Sequence, residues 1–102
     1  MLLKQKLYES TTKRIRLSVW KHNATLVMHL QEVDIDPAEP SVESFMLYKA
    51  WSHTVARETC KRATKAAIDR FYAKYIETAR ASVAARVKVL EAPAQEENHE
   101  GA

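Results

Sequence analysis

The chain has 102 residues, one glycine, one cysteine and a formal charge of +3, from 16 Lys and Arg against 13 Asp and Glu. That length fits one domain, and a hydrophobic content of 46% supports a core rather than wholesale disorder. The lone glycine (Gly101) excludes glycine-built phosphate loops, and the lone Cys60 excludes an internal disulfide and points to a reducing, cytoplasmic setting. No apolar run reaches the roughly 18 residues a membrane span needs, and the first residues carry no signal-peptide core, so no membrane is expected as a partner.

Charge is segregated along the chain. Residues 1–33 carry a net +4, residues 34–47 carry −4, residues 48–90 carry +7 and residues 91–102 carry −4. A modest average therefore hides two basic blocks, an acidic joint between them and an acidic end.

Leu2 to Tyr8 alternates imperfectly and is read as an edge strand. Its best register sets Lys6 opposite Arg16. From Arg14 to Trp20 the alternation is clean, with Ile15, Leu17 and Val19 on one side and Arg14, Arg16 and Ser18 on the other. It recurs from Thr25 to Val33, where Leu26, Met28 and Leu30 share a side and His29 and Gln31 take the other. The two runs form a hairpin over 13–33. A two-residue loop at His22-Asn23 makes paired residue numbers add to 45, so that Val19 faces Leu26, Leu17 faces Met28 and Ile15 faces Leu30.

Asp36-Pro37-Ala38-Glu39 is read as a helix start, with an N-cap, a first-turn proline and a capping-box acid. A helical region then extends over 38–90 without an internal glycine and with no proline after Pro40. Its apolar residues change face midway: Phe45, Tyr48, Trp51, Val55, Ala56 and Cys60 lie on one side, and Ile68 through Leu90 on nearly the opposite side. One long helix and a two-helix hairpin turning near 60–66 both satisfy this pattern. Residues 91–102 have little to bury and are read as a disordered acidic tail. The expected architecture is a single α+β domain over 1–90: a two- or three-stranded antiparallel sheet, the helical region, then the tail.

Catalytic chemistry is not visible. His22, His29, His53, His99 and Cys60 show no metal-ligand spacing, so no metal site is expected. Asp34, Asp36, Glu39 and Glu43 are explained by the preference of helix N-termini for acids, and no nucleophile or base accompanies them. Cys60 fits a small apolar position better than a reactive thiol. No catalytic residue, no cofactor and no enzymatic activity are expected.

Two binding surfaces remain. Phe71, Tyr72, Tyr75, Ile76, Ala79 and Val83, continued by Val87, form an aromatic-aliphatic stripe that a small sheet does not cover. The leading reading is accordingly a self-associating protein–protein interaction module, a homodimer by default, that regulates or inhibits a partner protein by occupying its surface. The alternative is a nucleic-acid-binding regulatory protein. It would use Arg14 and Arg16, grouped with Lys4, Lys6, His29 and Gln31 on the sheet, and Arg57, Lys61, Arg62 and Lys65 beyond it.

Overall fold

The computed structural model describes residues 2–44 and 51–92. Among the described residues five strands precede one helix: β1 (Leu3–Glu9), β2 (Lys13–His22), β3 (Thr25–Asp36), β4 (Glu39–Ser44), β5 (Ser52–Thr59) and α1 (Lys65–Leu90). All pairings are antiparallel, in the order β1-β2-β3, with β4 and β5 sharing the outer side of β3. The α+β class and the order of sheet before helix are as the sequence implies. The sheet is wider and the helix shorter than expected.

The β2–β3 hairpin forms in a different register. Paired numbers add to 47, not 45: Val19 faces Met28, Leu17 faces Leu30, and Ile15 faces Glu32. A slip of two residues leaves every side chain on its expected face, because the side-chain period of a strand is two. The loop is Asn23-Ala24, closed by His22 opposite Thr25, and Asn23 takes φ 56°. Asn is among the non-glycine residues that tolerate that left-handed value, which suits it to the first position of the loop. β1 joins β2 with Lys6 opposite Arg16, as its alternation implies.

The helical reading is corrected over the described residues 38–44 and 51–64. Asp36-Pro37-Ala38-Glu39 is a tight turn between strands, in which Asp36 Oδ1 accepts a hydrogen bond from the Ala38 amide at 2.9 Å and Asp36 pairs with Glu39. Asp followed by Pro suits the first two positions of such a turn as well as it suits a helix start. β4 then flanks the last residues of β3, and β5 takes over beside its first seven. Phe45 and Tyr48 lie outside the described residues, as does the expected tail from residue 93 onward.

Both outer strands are bulged. Register shifts fall between Lys6 and Tyr8 in β1, and opposite Met28 and His29 in β5, leaving Leu7 and Val55 as the extra residues. In each case two consecutive side chains, Leu7-Tyr8 and Val55-Ala56, pack against the core. The added twist curls the outer strands around the helix.

α1 is a single helix of 26 residues, about 39 Å long at 1.5 Å per residue. Thr64 caps it, its Oγ1 accepting from the Ala67 amide at 3.1 Å, and the Glu91 amide closes the other end on the Val87 carbonyl. Phe71, Ile76, Ala79 and Val83 recur at helical spacing and face Ile15, Leu17, Val19, Leu26, Met28 and Leu30 of the hairpin in one buried cluster. Among the described residues no helix is long and apolar enough to cross a membrane.

Candidate nucleic-acid interface

The helix covers one face of the sheet. Phe71 is 2% exposed, Ile76 8%, Ala79 0% and Val83 6%. The half-buried Tyr72 and Tyr75 turn their hydroxyls to the sheet, donating to Gln5 Oε1 at 2.6 Å and to Glu58 Oε2 at 2.5 Å. That bond, and then burial, pushes the Tyr75 phenol up from its ordinary value, while Lys74 and Tyr75 together draw the Glu58 carboxyl down. The stripe expected to meet a partner is therefore the seam of this chain's own core. The sheet beneath it is four strands wide, against the two or three expected.

The other face has different chemistry. Directly paired residues of an antiparallel sheet point to the same side, so the register defines rows across it. One row is Trp20, Val27 and Arg57, the next Lys4, Ser18, His29 and Thr54, and the third Lys6, Arg16, Gln31 and Ser52. Glu9, Arg14 and Val33 make a fourth row at the far end. Successive rows lie two residues apart, about 6.8 Å. Trp20 is 46% exposed; Lys4, Lys6, Gln31 and Arg57 are exposed as well, whereas Arg16, Ser18, His29 and Thr54 are half-buried.

Across these rows Glu9 is the one carboxylate among the described residues. It accepts from Arg14 Nη2 at 2.7 Å and from Lys6 Nζ at 2.5 Å, and those two bonds, Lys6 first, hold its carboxyl at about 2. Lys4 and Arg57 have no carboxylate within ion-pair distance among the described residues. On the helix Lys65 pairs with Asp69 at 2.9 Å, Lys74 with Glu58 at 2.6 Å and Arg86 with Glu32 at 2.7 Å. Arg70 and Lys88 of α1 likewise have no carboxylate within ion-pair distance among the described residues, so what sets the open sheet face apart is that its cations share adjacent rows. His29 Nδ1 lies 3.3 Å from Thr54 Oγ1, and burial first, then the positive fields of His53 and Arg57, lowers its pKa from the ordinary 6.5. At neutral pH its imidazole is uncharged and offers one donor and one acceptor.

The structure divides the basic residues singled out from sequence. Arg14, Arg16 and Arg57 lie on the open face, Arg14 buried beside Glu9. Lys61 and Arg62 are exposed in the loop between β5 and α1. That loop sits at the hairpin end of the sheet, since the Cys60 amide donates to the Ala24 carbonyl at 2.7 Å. Lys65 belongs to the helix, paired with Asp69. Cys60 is partly buried and its thiol donates to the Arg62 carbonyl at 3.1 Å, on the wall of a groove of about 510 Å³ shared with Leu26, Glu58 and Phe71.

Trp20 was the residue that sequence reasoning passed over. Its parity with Arg14, Arg16 and Ser18 already put an indole on the polar side of β2. Among the described residues no group of three His, Cys, Asp or Glu side chains is placed to hold a metal ion. No protein-family model matches this chain, and no curated protein or solved structure does either.

Proposed function

We propose that the chain is a nucleic-acid-binding regulatory protein that takes the phosphate backbone on its open sheet face. The observation that carries this reading is the cation surplus of that face, with Lys4 and Arg57 unpaired among the described residues and Glu9 already engaged. Phosphates compensate such a surplus and release condensed counterions as they do so. The exposed Lys61 and Arg62 extend the positive field at the hairpin end. The competing reading, a regulator that occupies a partner protein through the helical stripe, has its central residues inside the core.

Fluorescence anisotropy with labelled oligonucleotides, titrated across salt, tests the proposal. The triple variant Lys4→Gln, Lys6→Gln, Arg57→Gln removes three charges and should flatten the plot of log K against log salt by about 2 for single strands. A slope identical to that of the parent chain, or no binding at roughly 50 mM salt, overturns the reading.

A further inference from the structure

Resting on the nucleic-acid reading, the geometry points to a single-stranded polynucleotide as the occupant, with one base stacked on Trp20. Three observations on the open face lead there, and none depends on the charge surplus alone.

The first is shape. The major groove of duplex DNA is about 12 Å wide and admits a helix or a two-stranded ribbon. Four strands at roughly 4.8 Å spacing present a platform about 14 Å from first to last axis, before side chains are added. The β2–β3 hairpin does not project from this platform as a free ribbon. β5 pairs with β3 as far as Thr25, and the Cys60 amide reaches Ala24 in the turn itself. A broad sheet suits bases that are splayed out of a helix and laid on it.

The second is Trp20. It is 46% exposed on a face that is mostly polar, across from Val27 and in the same row as Arg57. An exposed indole beside a cation gives a base a ring to stack on and its phosphate a partner. The third is the row behind it, where Ser18, the uncharged His29 and Thr54 supply neutral donors and acceptors, with Lys4 at its β1 end. Base faces and phosphates are common to DNA and RNA, so both should bind.

The test uses the full chain with dT12, rU12 and a 12-base-pair duplex. Trp20→Ala should weaken binding to both single strands about 5- to 150-fold, with Trp20→Phe restoring most of it. Because the chain has two tryptophans, Trp51→Phe leaves Trp20 as the sole indole, and its fluorescence, excited selectively over the tyrosines, should be quenched by dT12. Circular dichroism of the Trp20→Ala chain should match that of the parent, since the side chain is 46% exposed.

Salt-dependent binding with Trp20 emission unmoved and Trp20→Ala at parental affinity overturns the stacking inference and leaves the phosphate-binding reading standing. Tighter binding to the duplex than to dT12 overturns the single-strand assignment alone. A Trp20→Ala chain whose sedimentation changes while its oligonucleotide affinity does not makes Trp20 a self-association contact and overturns the inference. No binding to any probe ends both readings.

Discussion

Removing the Arg86 guanidinium tests how the helix is locked to the sheet. Glu32 is 2% exposed in the middle of β3 and accepts from Arg86 Nε at 2.7 Å; Lys13 Nζ is the next cation, at 3.6 Å. Arg86 also lies over the Trp51 ring, 5.8 Å from its centroid. Arg86→Met keeps an apolar stem against Trp51 and leaves Glu32 buried beside Lys13 alone. Breaking a buried pair by removing one partner costs about 3–5 kcal/mol, and the remaining Lys13 places this case near the lower end. For a domain this small, about 3 kcal/mol lowers the melting temperature by roughly 12–24 °C. The double variant Glu32→Met, Arg86→Met removes both charges and should recover most of that loss, since a well-packed apolar pair is often as stable as the ion pair it replaces. Urea unfolding of the four chains in the cycle gives the coupling directly. If Arg86→Met costs less than about 1 kcal/mol, or the double variant is no better than the single, the Glu32 carboxylate does not rely on the helix and the reasoning fails.

Phe71→Ala, at a position that is 2% exposed and edge-on to Tyr75 at 5.2 Å, should destabilise the fold by about 3–5 kcal/mol in urea unfolding without changing the sedimentation coefficient of the folded chain. A change in oligomeric state with little loss of stability would instead make the stripe an interface. His29 has a folded-state pKa below its ordinary 6.5, so between those two values the unfolded chain binds more protons than the folded one. Its contribution is present above pH 6.5 and lost as pH falls through that window, so His29→Gln should lose less stability than the parent chain between pH 7.5 and 5.5. Equal losses in the two chains would mean that the burial of His29 is not felt by its proton.

The hairpin was legible because Ile15, Leu17, Val19 and Leu26, Met28, Leu30 alternate cleanly, and alternation reports faces. It does not report register, since sums of 45 and 47 both bring apolar residues together and differ by a full side-chain period. The choice between them rests on Asn23 accepting φ 56°, and on Glu32 meeting Arg86 from 54 residues away. β5 was misread because its bulge at Val55 breaks the alternation, while Trp51 and Val55 fall four apart, as on a helix face. The β-branched Thr54, Val55 and Thr59, and Thr64 as a helix cap, carried the better signal. The basic face was half legible. Parity placed Arg14, Arg16, His29 and Gln31 together, but Arg57 joins them only through the pairing of β5 with β3, which local sequence does not encode.

A single helix can cover one face of a sheet, so a four-stranded sheet with one helix leaves the other in water unless something else occupies it. Stability requires only that this second face be polar. Serine, threonine, or alternating charges of both signs would serve, and would keep the outer strands from pairing with other chains. The residues present are more particular. Cations outnumber acids, Glu9 is consumed by its neighbours, and the one large apolar side chain left exposed on β2 is an indole in the same row as Arg57. Each of these is neutral or unfavourable for the isolated fold: like charges repel, and exposed Trp20 gains little from burial. The helix-covered face shows the opposite economy, with Glu32, Glu58 and Gln5 each bonded to a helix side chain. This sequence obeys local rules on one face and departs from them on the other, and that departure is the ground on which the nucleic-acid proposal rests.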